Sequence, residues 1–216
     1  MAIYNLLTLN FEGFVNYIIH TPVIITWLAM LIFCFFIILL FLKLFGEAGI
    51  YVYTSVAIIV ANIQVLKIID FPFFTHPIAL GTILFSSTYL ATDILAEYYG
   101  TKVAKKNILI GFSSFLLMTF LMLFTMGFPP LDINTVSEEF LWAITIQDNL
   151  LAIFLPFPIF FIASMTAYLF SQYFDVWIFE KISKITSNRF LWLRNNLSTM
   201  LSGLIDNTIF SLFAWI

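Results

Sequence analysis

Charge is scarce in this 216-residue chain: Asp, Glu, Lys and Arg together supply 10% of it, against 62% hydrophobic residues. A soluble domain carries about 25% charged and about 45–50% apolar residues. So little charge cannot cover a water-facing surface, which excludes a soluble enzyme, a disordered chain and a nucleic-acid-binding module. Cysteine is nearly absent too. Cys34 stands alone, so no internal disulfide can form and no CxxC or zinc pattern exists. The two histidines, His20 and His76, lie far apart. Neither HExxH nor GxxxxGK[ST] occurs, so no metal or cofactor is expected and ATP is not bound through such a loop.

What is present is long apolar sequence. No acidic or basic residue falls between Glu12 and Lys43, Glu47 and Lys67, Asp70 and Asp93, Lys106 and Asp132, or Asp148 and Asp175. Each gap holds the roughly 20 residues that a bilayer core requires. Helices are expected at about 24–42, 49–66, 77–98, 107–127, 150–174 and 196–216, because backbone in lipid must satisfy its own hydrogen bonds. The fold class is therefore all-α: a polytopic integral membrane helical bundle of about six transmembrane helices, forming a single domain over 1–216. The first apolar run follows Glu12, has no upstream Lys or Arg and is too long for a signal peptide, so it reads as a retained helix.

Basic residues set the orientation. Eight of the nine fall in alternate loops: Lys43, Lys102, Lys105, Lys106, Lys181, Lys184, Arg189 and Arg194; only Lys67 lies opposite. Glu12, Asp70, Asp132, Glu138, Glu139 and Asp148 occupy the other side. The basic side is expected in the cytoplasm and the N-terminus outside. The basic residues read as topology determinants, with Arg194 alone left open to a further role. Segment 128–149 is expected as a long external loop: Pro129 and Pro130 stop the fourth span, and the residues around Trp142 form an interfacial helix.

Ionisable groups inside a span usually face a bundle interior or a water-filled path. Asp93 and Glu97 are four residues apart on one helix face, and Thr82 and Ser86 extend that stripe. In the fifth span Ser164, Tyr168, Ser171 and Asp175 repeat the pattern, with Gln172 nearby. In the sixth it is Asn195, Thr199, Ser202 and Asp206. The second span adds Asn62 and Gln64, on different faces. Three such stripes argue for a shared polar interior. Taken singly, Ser86, Ser164 and Thr199 fit interhelical hydrogen bonding. Glu97 and Asp175 lie near the expected cytoplasmic ends, within reach of headgroups, whereas Asp93 and Asp206 lie deeper and read as functional. Tyr89, Tyr98 and Tyr168 are weaker candidates.

The run ATDILAEYYGTKVAKK (91–106) resembles a signature of the queuosine precursor transporters, the vitamin uptake transporter family: a TD-x3-E-x2-G element leading into a basic loop. LRNNLSTMLSGLIDNTIFSLFAW (193–215) resembles the second signature, an N-x2-ST segment, an aspartate and an F-x3-A-[FW] ending; SQYFDVWIFEKI (171–182) fits a third, polar Gln-x2-Asp element. The resemblance covers most of 50–215. It implies an inner-membrane, multi-pass importer of deazaguanine bases such as preQ0 and preQ1, salvaged into tRNA modification. The partners implied are a small planar base and the lipid bilayer, with no direct nucleic acid. Matching positions are Thr92, Asp93, Glu97, Asn195, Asn196, Ser198, Thr199 and Asp206, with Gln172 and Asp175 behind them. The expected substrate-binding set is Asp93, Glu97, Asn195, Asn196, Thr199, Asp206 and Gln172. The family's pattern continues into one more helix, whereas this chain stops at Ile216. The helix at 24–42 is extra to that pattern and is expected at the periphery of a core spanning about 49–216.

Two readings compete with a transporter. An intramembrane aspartyl protease would use Asp93 and Asp206 as a proton-sharing dyad, but such enzymes carry Gly-x-Gly-Asp where this chain has Gly203-Leu204-Ile205-Asp206. A membrane scaffold would pair the same two residues structurally. The sequence is compatible with proton coupling, with facilitated diffusion and trapping, and with an ATPase partner, and it does not set an oligomeric state.

Overall fold

The computed structural model describes residues 2–155 and 158–214. Nine α-helices follow one another among the described residues: α1 Ala2–Leu7, α2 Phe11–Ile19, α3 Val23–Phe45, α4 Glu47–Gln64, α5 Thr82–Tyr98, α6 Thr101–Met126, α7 Leu141–Phe154, α8 Pro158–Ile185 and α9 Leu191–Ala214. The only strands described are β1, Ile68–Ile69, and β2, Ile78–Ala79, which pair antiparallel between α4 and α5. The all-α class read from the sequence holds.

Helices α3 and α6 are long and apolar enough to cross a membrane. Only 11% and 17% of their most apolar stretches are buried, so neither is the core helix of a soluble protein. Phe33, Phe36 and Leu39 on α3 and Leu117, Phe120, Leu121 and Phe124 on α6 are exposed. Side chains of that kind in such numbers are at rest in hydrocarbon, not in water.

The inward faces show why the helices pack. On α4 the buried positions are Gly49, Ile50, Tyr53, Thr54, Ala57, Ile58 and Ala61; on α6 they include Ala104, Asn107, Ile108, Gly111 and Phe115. Both sets recur every three or four residues, the helical stripe. Two connections are very short. Gly46 alone joins α3 to α4, with φ +58°, and Tyr99–Gly100 join α5 to α6, with Gly100 at φ +90°. Glycine adopts that left-handed backbone without steric cost. Helices α8 and α9 pack against each other more extensively than any other pair.

Glycine also sets the distance between α6 and its neighbours. A Cβ on Gly111 would sit 2.9 Å from the Tyr168 hydroxyl and run into Cδ1 of Ile58. Overpacking of this kind typically costs about 1–3 kcal/mol. Gly111→Ala is therefore expected to lower the melting temperature of the detergent-solubilised protein.

Several expected boundaries move. The span placed at 150–174 straddles two helices: α7 ends at Phe154 and α8 begins at Pro158. The LPFP run (155–158) is the reason, since proline lacks an N–H and suits the first turn of a helix better than its interior; Pro156 and Phe157 lie outside the described residues. Helix α8 then continues to Ile185, so Asp175 falls well inside it and not at its end. The fourth helix starts at Thr101 and not 107, placing Lys102, Lys105 and Lys106 on its first turns. The third starts at Thr82, the preceding residues having turned back as the small hairpin. The Trp142 segment is helical as expected, in α7, preceded by a 3-10 turn at Glu138–Phe140.

Candidate functional site

Three helices bring their polar residues together in layers, one helical turn apart on α5, while on α9 Arg194 reaches the third layer from two turns beyond Ser202. On α5 the positions are Tyr89, Asp93 and Glu97; on α9, running the opposite way, they are Asp206, Ser202, Ser198 and Arg194. Steps of four keep each set on one face. In the first layer the Tyr89 hydroxyl donates to Ser171 Oγ on α8 at 2.8 Å, and Ser171 donates to Asp206 Oδ1 at 2.9 Å.

The second layer holds two carboxyl groups. Asp93 is 3% exposed and Asp175, from α8, is fully buried. The two carboxyl groups face each other across α5 and α8, near enough to repel when both are ionised. Ser202 donates to Asp175 Oδ1 at 2.9 Å. Both oxygens of Asp93 and Oδ2 of Asp175 receive no hydrogen bond from the protein.

The third layer is an ion pair. Arg194, 2% exposed, donates to Glu97 through Nη2 and to Ser183 Oγ through Nη1 at 3.1 Å, and its guanidinium lies 5.2 Å from the centre of the Phe179 ring. The Glu97 side chain is 32% exposed.

Beside these layers runs a neutral network. Gln172 accepts from Thr92 at 3.1 Å and donates to Thr88 at 2.9 Å, while Asn107 on α6 donates to Thr54 on α4 at 3.0 Å and lies 3.5 Å from the Thr92 hydroxyl. It ties four helices together. Interhelical bonds of this type average about 0.6 kcal/mol in membranes, so the network is modest glue.

The expected site residues therefore separate. Asp93, Glu97 and Asp206 lie on the layered face. Gln172 has both ends of its amide engaged in the neutral network. The α9 stripe is 194/198/202/206, not 195/199/202/206: Arg194 and Ser198 are buried, while Asn195 and Thr199 are half-buried and Asn196 is exposed, donating to the Trp192 carbonyl. Asp93 faces Asp175 and not Asp206, and Asp175 is fully buried within α8 and not at its end. Thr82 and Ser86 are exposed. Asn62 bonds its own helix at the Ile58 carbonyl, and Gln64 reaches Met30 Sδ at 3.8 Å. Asn107 and Thr54 escaped sequence reading, although a buried amide at the start of an apolar run was a signal.

Buried acid and amide groups between lipid-facing helices define the class: a helical membrane protein with a polar interior. The family described as "Putative vitamin uptake transporter" matches residues 79–216. A protein of Bacillus subtilis (strain 168) described as "Probable queuosine precursor transporter" is 36% identical over 191 residues, covering 88% of this chain and 78% of its own length. No solved structure matches. The chain belongs to the vitamin uptake transporter family, as the motifs at 91–106 and 193–215 suggested. It is a transporter and not an enzyme, so the aspartyl protease reading is set aside.

Proposed function

We propose that this protein is a multi-pass inner-membrane importer of queuosine precursors, deazaguanine bases such as preQ0 and preQ1. The observation that carries the reading is the relative from Bacillus subtilis, alike over 88% of this chain and described as a queuosine precursor transporter. The site chemistry supports it. A guanine-like edge presents a ring N–H beside an amino group, and a carboxylate can accept both in a parallel, charge-assisted pair. Asp93 has two buried oxygens without a donor, and Asp206 has one engaged only by Ser171. Tyr89 lies in the Asp206 layer with its hydroxyl on Ser171, and its aromatic ring is the stacking surface for a flat heterocycle in this reading. Glu97 is a gate residue in this reading, since Arg194 already holds it, and half-buried Asn195 and Thr199 flank the path.

The spans would be α3, α4, α5, α6, α8 and α9, with the N-terminus outside. At about 1.5 Å per residue, the 17 residues of α5 rise about 26 Å, close to the thickness of a bilayer core. Cysteine introduced at Ser137 is then expected to react with an impermeant thiol reagent in intact cells, and cysteine at Lys105 is not. The reverse pattern would invert the orientation.

The function is tested by expressing the gene in cells that neither make nor import the precursor. Restoration of queuosine in tRNA is expected when preQ0 or preQ1 is supplied. Normal membrane insertion without restoration, and without accumulation of labelled base, would overturn the reading.

A further inference from the structure

We propose that the neutral base preQ0 crosses with one proton, and that the proton rides on Asp175 where it faces Asp93. The proposal rests on the importer reading above and adds its energy source.

It starts from a charge inventory. The titratable groups around Asp93 are Tyr89 and Glu97 on its own helix, Asp175 on α8, and Arg194 and Asp206 on α9. Helices α6 and α4 bring the neutral Asn107 and Thr54. Arg194 is the one cation in this set, and Glu97 holds it. Asp93 and Asp175 thus face each other in a buried place where the one nearby cation, Arg194, is already held by Glu97. Two ionised carboxylates so placed cannot persist in such surroundings. A proton between them removes one charge and supplies a donor.

The unpartnered oxygens point the same way. Asp93 Oδ1 and Oδ2 and Asp175 Oδ2 are buried with no protein donor, although Ser202 serves the remaining Asp175 oxygen at 2.9 Å. Buried acceptors are nearly always satisfied. A proton on Asp175 Oδ2 bonds to Asp93, and the free lone pairs of Asp93 then accept the N–H edge of the base. preQ0, whose side group is an uncharged nitrile, brings donors but no positive charge, so it cannot replace the proton as the neutralising group. Base and proton are therefore held together. The O–H bond forms with a proton from the outer water and breaks to release it into the cytoplasm, past the Glu97–Arg194 layer.

Asp175→Asn separates coupling from binding, because the amide is neutral and keeps a donor toward Asp93, as the protonated acid does. The test uses purified full-length protein in liposomes with a pH dye inside and labelled preQ0 outside. For the wild type, preQ0 entry is expected to acidify the interior at clamped potential. An acid-outside gradient of one pH unit is expected to drive accumulation to about tenfold, the limit for one proton per base. Asp175→Asn should still equilibrate preQ0 but lose both the acidification and the accumulation.

Wild-type entry of preQ0 with no pH change and no response to the gradient would overturn proton coupling and leave the importer reading intact. Gradient-driven accumulation by Asp175→Asn would remove the proton from Asp175. No preQ0 entry through folded, monodisperse wild-type protein would overturn the importer reading itself. Should the variant fail to fold, the wild-type measurement still decides the coupling.

Discussion

Asp93→Asn is expected to insert and fold normally while cutting uptake of labelled deazaguanine base by about 30- to 150-fold. The figure follows from losing a charge-assisted contact of about 2–3 kcal/mol. Asp93 is 3% exposed and neither of its oxygens has a donor among the neighbouring amides and hydroxyls, so the lone pairs that Asp175 does not use are free for a ligand. An amide has one accepting oxygen and one donating nitrogen, and it cannot accept two N–H bonds in parallel. The nitrogen would also point a donor at a donor. The fold is expected to survive because that same nitrogen can bond to Asp175 Oδ2, which has no protein donor. Asp206→Asn should lose less, about tenfold, since Ser171 already occupies one of its oxygens at 2.9 Å. Uptake is measured per amount of protein in the membrane fraction. Wild-type uptake by Asp93→Asn would remove that residue from the ligand site and return it to a structural role.

Much of this arrangement was legible in the sequence, and the misreadings have physical causes. Apolar gaps between charges located the helices because lipid selects composition before geometry. The acid pair Asp93 and Glu97 marked the face of α5 that turns toward Asp175 and Arg194. Helix phase was harder to read. Asn195 and Thr199 look like the start of the α9 stripe, but Arg194 and Ser198 are the buried positions, one residue earlier. A hundred degrees of rotation separates neighbouring residues, and in a chain this apolar few positions fix the phase. Asp175 was misplaced because the charge gap from Asp148 conceals the LPFP break; once α8 starts at Pro158, the aspartate moves from the end of a helix to its interior. That Asp93 faces Asp175 could not be read at all, because it depends on how α5 packs on α8.

The Glu97–Arg194 pair is expected to respond unequally to loss of its two members. Arg194 is 2% exposed, while the Glu97 side chain is 32% exposed. Removing one partner of a buried pair typically costs about 3–5 kcal/mol, because the other charge is left buried and unpaired. Glu97→Gln strands the guanidinium between Ser183 and the Phe179 ring, and the loss should approach about 3 kcal/mol. Arg194→Met instead leaves Glu97, a third exposed, to find water or a lipid headgroup, while the methionine chain fills the space over Phe179. That loss should stay near about 1 kcal/mol or below, in the range of exposed pairs. The double variant, Glu97→Gln with Arg194→Met, is expected to match Arg194→Met alone and so to be more stable than Glu97→Gln. Thermal unfolding of the four proteins in one detergent measures the cycle. Equal losses from the two single variants would mean that Glu97 is as desolvated as Arg194, and that the layer is closed to water on both sides.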